Sequence, residues 1–581
     1  MPPGRVRLPV RDPRRGGTVL RGTVLAVLAG GFLLPLLAGL GATLGAAAGY
    51  LPGRPLPETP SLQPLRSLLA EPGFLRAVGQ TLGTGLASTV LALVLAASFC
   101  GLVHQRLPTR LAGRSLAPLL AAPHSALAIG LAFLLAPWGW IARWLSPWAT
   151  GWEFPPDLPL VQDPLGIALV LGLLTKEVPF LLLVFLAALA QLPVQEDLQR
   201  ARALGYGRAK AWVGVVLPRA YPLVRLPVLF VLAFSLSVVD MALVLGPTQP
   251  PTLAVAVTRW FLAPDPAFLG PAFAGATLQL AIVLAVMGGW LLGERAVAAG
   301  GRAWLARGSR GGAGDPWLAA AGLATTVILL LGLLALAALG FWAFAERWPF
   351  PAAWPTEFSL ARWTDLAGGW GEAFGNSLAL GAATTAASLL LAVLWLEGED
   401  RGHLPRARWA TVLVALPLLL PQVAFLYGLQ VVLLRAGIGP GFPAVAWAQA
   451  LFVLPYTLIV LSPPWKALDP RLLAVAASLG AGPNRRWLTV KLPLLLRPLL
   501  TAGAVGFAVS VALYLPTLFL GAGRVPTLTT EAVTLASGGD RRLVGLFALL
   551  QALLPLVAYL LALLLPRWIW RHRRALAGGS A

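Results

Sequence analysis

LQRARALGYGRAKAWVGVVLPRAYP, residues 198–222, and LLAVAASLGAGPNRRWLTVKLPLLLRP, residues 472–498, are two copies of one pattern. Each places an Ala-rich helical turn before a Leu-Gly pair, Leu204-Gly205 and Leu479-Gly480. Each closes on a Leu-Pro pair, Leu217-Pro218 and Leu492-Pro493. The Gly-to-Pro spacing is 13 residues in both, and the copies lie 275 residues apart. Ala, Arg, Leu and Gln favour helix. Gly supplies the left-handed turn that ends the first helix, and Pro is expected to start the next. The pattern therefore predicts a small helix–turn–helix. Both copies are basic and sit between long apolar runs, which makes each a polar loop between membrane spans. A single copy reads equally well as an amphipathic connector; two copies with fixed spacing do not.

The surrounding composition agrees. Of 581 residues, 58% are hydrophobic and 12% charged, outside the range of soluble domains. Apolar runs of about 20 residues or more recur along the chain and predict a polytopic, all-α membrane protein. Twelve spans are expected near 18–50, 77–102, 115–136, 165–192, 223–246 and 269–293, then 317–345, 374–396, 409–434, 443–463, 498–520 and 543–566. The first run is too long for a signal-peptide core and reads as an uncleaved span. The divisions are a basic N-terminus 1–17, a six-span half 18–293, a Gly/Arg-rich linker 294–316, a second six-span half 317–566 and a basic tail 567–581. With an even span number both termini share a side. That side carries about 30 Lys and Arg against about 11 on the other, so both termini and both loops are expected in the cytoplasm.

The net charge of +21 is scattered over short loops, with no basic stripe to suggest nucleic acid. A lone Cys100 gives no disulfide framework. The four His, at 104, 124, 403 and 572, have no metal-ligand spacing. None of the four Lys (Lys176, Lys210, Lys466, Lys491) follows a Gly, so no phosphate-binding loop is present and no catalytic residue is assigned.

The repeated loop resembles the EAA signature of ABC-importer permeases, a pattern of E-A-A, three residues, Gly and a downstream Leu-Pro. The resemblance implies the type I importer permease fold, with Gly205 and Gly480 as signature glycines. It implies loops that dock on a separate ATPase. On this chain those loops comprise Gln199, Ala201, Ala203, Leu204, Gly205, Leu217 and Pro218 in the first copy. In the second they comprise Ala474, Ala476, Leu479, Gly480, Leu492 and Pro493. Gln199 and Ala474 stand where the family has its acid. Two copies of an ATPase would supply ATP and Mg, with no cofactor held by this chain, and a periplasmic or lipid-anchored binding protein would deliver solute. The segments around 123–190 look most like a thiamine-type permease; ferric-ion permeases are similar fused proteins.

The repeat reaches beyond the loops. Pro123 through Gly130 matches Pro421 through Gly428; Gln80-Thr81-Leu82 matches Asn376-Ser377-Leu378; Val178-Pro179-Phe180 resembles Leu454-Pro455-Tyr456; Pro251-Thr252-Leu253 matches Pro526-Thr527-Leu528. With six spans per half, the halves are parallel repeats with a pathway between them.

Charges inside spans are costly and face the protein interior. Lys176 and Glu177 in the fourth span and Asp240 in the fifth are therefore pathway candidates, or else structural ties. Tyr514 is read as the counterpart of Asp240; an acid facing an aromatic suits an organic cation. His124, Gln422 and Tyr427 follow the paired prolines, where a freed carbonyl ladder permits bending. Trp138, Trp140, Trp144, Trp148 and Trp152 in loop 137–164 form either an interfacial aromatic belt or a platform for a binding protein. The basic ends, RDPRR and RWIWRHRR, suit anionic lipid headgroups. A twelve-span secondary transporter coupled to an ion gradient is the alternative reading; it leaves the paired loops unexplained. A membrane enzyme lacks clustered His, Cys or carboxylates.

Overall fold

A computed structural model describes residues 13–53, 59–103, 116–308, 310–364, 370–402 and 408–569. Residues 1–12, most of the tail and the loop 104–115 lie outside them. The fold is all-α and spans the membrane many times. Among the described residues eleven helices are long and apolar enough to cross a bilayer, from Val19–Ala47 to Arg541–Ile569. The only sheet there is a two-stranded pair, Ala345–Arg347 with Glu357–Phe358.

The expected ninth span, 409–434, is the exception. It breaks into Arg408–Leu419, a 3-10 turn Gln422–Ala424 and a helix Leu426–Arg435. The third does the same: residues 116–121 are helical, Pro123 sits at φ −59°, ψ 154°, and His124–Leu135 begins afresh. Proline removes an N–H and clashes with the carbonyl four residues back, so the matched Pro123 and Pro421 interrupt the helix outright, where bending was expected.

The fifth span of each half also departs from expectation. Continuous helix starts far earlier, at Arg208 and Pro483, inside what reads as a loop. It then ends at Ser237 and Ala512, and a short second helix follows, Asp240–Leu245 or Leu515–Gly521. Both breaks free a carbonyl. Gln279 Nε2 donates to Leu236 O at 2.8 Å, and Thr529 Oγ1 donates to Val511 O, the position 275 residues on. Buried backbone in lipid must be satisfied within the protein, and each half does so with a different side chain.

The first helix of each half packs on the other half. Val19–Ala47 lies against Trp370–Gly402 and Leu426–Arg435, and Asp315–Phe344 lies against Phe74–Val103, His124–Leu135 and Ile167–Leu189. Glycine makes both crossings. A Cβ on Gly428 would strike Gly39 O, and one on Gly130 would strike Ala335 O, each inside van der Waals contact. Small residues let membrane helices approach at backbone distance.

Two matched segments also meet in each half. The Leu253 amide, an orphan donor in the first turn of Leu253–Leu262, donates to Thr81 Oγ1 at 2.8 Å. The Leu528 amide donates to Ser377 Oγ at 2.9 Å.

Candidate functional site

The paired loops share one backbone. The helices Val194–Ala203 and Pro470–Ser478 end on Leu204 and Leu479, followed by Gly205 at φ +84° and Gly480 at φ +81°. Tyr206 N donates to Ala201 O and Gly205 N to Arg202 O; Ala481 N donates to Ala476 O and Gly480 N to Ala477 O. Both are Schellman closures, whose left-handed residue favours glycine. A one-turn helix follows, Arg208–Ala211 or Pro483–Arg486, then a π-helical turn, Trp212–Val216 or Trp487–Lys491.

This corrects the reading of the Leu-Pro pair. Pro218 and Pro493 start no helix; they sit where the ladder has widened. Leu217 N donates to Trp212 O and Leu492 N to Trp487 O, five residues back. A π turn at that point absorbs the donor that proline lacks.

Gln199, Ala203, Leu204 and Gly205 are exposed, as are Ala474, Leu479 and Gly480. Leu479 is 81% exposed and Leu204 58%. Ala201 is buried against its own half, Ala476 is half-buried, and Pro218 is exposed while Leu217, Leu492 and Pro493 are half-buried. With Gln199 in place of an acid, that helix carries Glu196, which is exposed and pairs with Arg200 at 3.0 Å, and Asp197, which is buried and pairs with Arg219, and with Arg200 at 3.7 Å.

The intramembrane candidates divide. Lys176 and Glu177 do not pair with each other, because successive helix residues point about 100° apart. Lys176 Nζ donates to Leu119 O (3.1 Å), Leu120 O (2.8 Å) and Ala122 O (2.5 Å), the carbonyls freed by the Pro123 break. His124, the residue after that proline, packs on the ring of Phe234, centroids 4.5 Å apart. Glu177 is buried and accepts a hydrogen bond from Ser235 Oγ. Lys176 interacts electrostatically with Asp240 and His124, and Asp240 with Tyr514, so these four share one region.

The register at the break differs from expectation by one residue. Asp240 aligns with Leu515, and Tyr514 aligns with Val239, since both close a broken helix before its continuation. Tyr514 lies within electrostatic reach of Asp240, from the other half, without being its counterpart. Gln422 is half-buried in the ninth segment. Tyr427 stacks on Phe261 at 4.2 Å and meets Phe273 and Phe519 edge-on.

Loop 137–164 is partly a structural staple. Arg143 is 3% exposed and donates to Trp138 O, Trp348 O, Pro349 O and Ala352 O. Trp140 is buried, and its Nε1 donates to Ala353 O at 3.2 Å. Trp144 and Trp148 remain exposed.

Over 524 residues the chain is 35% identical to the inner membrane ABC transporter permease protein YnjC of Escherichia coli (strain K12), covering 89% of this chain and 93% of that protein. The chain belongs to the ABC transporter permeases. A shorter stretch of the permease, 26% of its length, is 34% identical to the molybdenum transport system permease protein ModB of Mycobacterium tuberculosis (strain ATCC 25618 / H37Rv), covering 62% of that protein. ModB of Azotobacter vinelandii matches 26% of the permease at 30% identity, over 73% of its own length. No family model matches the chain. As a permease in a multi-pass membrane fold it is a transport component.

Sequence reading missed three features of the site. Gly130 and Gly428 showed only as repeated letters, although their role is to seat the exchanged helices. Arg143 looked like one more loop charge. The partner of Lys176 was hidden because a proline break announces freed carbonyls but does not name the side chain that takes them.

Proposed function

We propose that the chain is the fused permease subunit of a binding-protein-dependent ABC importer, with both termini in the cytoplasm. Residues 18–293 and 317–566 form its two parallel halves, joined by the linker 294–316. Two copies of an ATPase, holding ATP and Mg, dock on the two loops, and closure of the pair rocks the halves between inward- and outward-facing states through differential contact with each. A periplasmic or lipid-anchored protein brings solute to the outer face. The observation that carries this is the shared backbone of the two loops, recurring at an offset of 275 with Leu204 and Leu479 turned to solvent.

Asp240, His124 and Tyr514 stand as the pathway candidates, with Gln422 and Tyr427 on the facing broken span, while Lys176 and Glu177 act as structural ties. An acid beside an aromatic supports a small organic cation of the thiamine type, with ferric ion or another small solute as alternatives. The partial likeness to permeases named for molybdenum transport supports an oxyanion as the second reading. Purifying the neighbouring binding protein and identifying its bound ligand decides between them. Leu204→Asp with Leu479→Asp should abolish co-purification of the ATPase while leaving folded permease in the membrane; undiminished co-purification would refute the docking assignment. Asp240→Asn should lower uptake and leave assembly with the ATPase intact, and wild-type uptake would remove Asp240 from the pathway.

A further inference from the structure

Gly207 and Gly482 occupy the same place in the two loops, with φ −65°, ψ 168° and φ −66°, ψ 168°. Neither conformation requires glycine. A Cβ on Gly482 would meet nothing within 4 Å, whereas one on Gly207 would lie 2.5 Å from Gly312 Cα and 2.6 Å from Gly311 O. The difference is the segment that joins the halves. Gly311 N donates to Gly205 O and Gly207 N to Gly311 O, both at 3.1 Å, which lays Gly311 beside Tyr206 as a parallel bridge. Lys210 Nζ donates to Arg310 O at 2.9 Å. The Asp315 carboxylate accepts from Ala209 N at 2.7 Å and Arg208 N at 3.4 Å, so a residue of the linker caps the second helix of the first loop. Asp315 also opens the helix Asp315–Phe344, which anchors the strap to a span.

Among the described residues the second loop has no such strap, and its one-turn helix is met instead by Arg401, whose Nη1 donates to Asn484 Oδ1 at 3.1 Å. Its helix Pro470–Ser478 buries no residue, and Leu472, Val475 and Leu479 are 46%, 59% and 81% exposed. Its anchor lies behind it: Lys491 pairs with Glu397 and Asp400, each at 2.6 Å, and Arg401 with Glu397 at 2.7 Å.

We propose that Arg310–Asp315 is a standing part of the first ATPase-docking surface, so that the two ATPase copies grip unlike handles. The first meets a loop already set by the linker, with the linker backbone at its edge. The second meets a bare apolar helix. This rests on the permease reading above.

The test uses the full chain with its ATPase, comparing Gly207→Ala with Gly482→Ala. Amide exchange at residues 205–211 and 311–315 should rise in Gly207→Ala and stay at the wild-type rate in Gly482→Ala. ATP hydrolysis by the reconstituted complex should fall roughly tenfold in Gly207→Ala, the size of one lost interface anchor, and stay within about twofold in Gly288→Ala, which lies outside both loops and whose Cβ meets nothing within 4 Å. Asp315→Ala, which removes the cap without adding bulk, should act in the same direction and serves if Gly207→Ala fails to fold. Equal exchange in Gly207→Ala and Gly482→Ala would overturn the proposal. So would a released strap with unchanged hydrolysis, which would leave the ATPase reading standing. A wild-type chain that bound no ATPase would overturn both.

Discussion

At the residue scale, Lys176 shows how a charge inside the membrane becomes structural. Its ammonium meets three carbonyls that the Pro123 break leaves open. The half that contains residue 452, matched to Lys176 through the Val178/Leu454 alignment, holds Phe452 stacked on Phe425 there. Lys176→Met should therefore destabilise the fold by about 1–3 kcal/mol for each carbonyl left unsatisfied, read as a lower thermal unfolding midpoint in detergent. A midpoint equal to wild type would show that the carbonyls find another donor. The sequence announced that Lys176 and Glu177 face the protein interior, because charge is expensive in lipid. It could not announce their partners, which are backbone atoms 54–57 residues away and a serine 58 residues away. The exposed Trp148 is separable from the Arg143 staple, whereas Trp144 packs edge-on against Trp140 and Trp354. Trp148→Ala should weaken binding of the solute-binding protein without lowering thermal stability, and unchanged binding would return this ring to an interfacial role.

At the scale of elements, the spans were legible from hydropathy because lipid demands long apolar helices. The breaks were only half legible. Pro123 and Pro421 signalled interruption, and Pro516 stands four residues after Ala512, but the break after Ser237 occurs in apolar sequence without proline. The tertiary donors Gln279 and Thr529 stabilise the breaks after Ser237 and Ala512, and local sequence carries no trace of that. The Leu-Pro pairs misled in the other direction: proline at a helix start is common, and a π turn ahead of it is a less frequent solution to the same missing donor. The glycine crossings give the sharpest element-level expectation. Gly428→Val should cost more than about 3 kcal/mol, the upper range of ordinary overpacking, because backbone oxygen cannot yield as a side chain can. Gly288→Val, with nothing within 4 Å of its Cβ, should be tolerated. The yield of folded protein from membranes measures both, and equal yields would mean that the crossing between Val19–Ala47 and Leu426–Arg435 is looser than described.

For the whole molecule, repetition was the most legible feature, and exchange of the first helices the least. Offsets in the sequence align the halves but do not say which half a helix packs on. The exchange makes the halves interdependent, and it places the linker, which runs from the sixth span Leu269–Ala306 to the exchanged helix Asp315–Phe344, beside the first loop. We propose that a motor held on those loops drives this permease. The most direct test is uptake into proteoliposomes containing the chain, its neighbouring ATPase and its binding protein. Uptake should require internal ATP, stop when hydrolysis is blocked, and be indifferent to collapse of ion gradients. Uptake by the chain alone, driven by a proton or sodium gradient, would contradict the account.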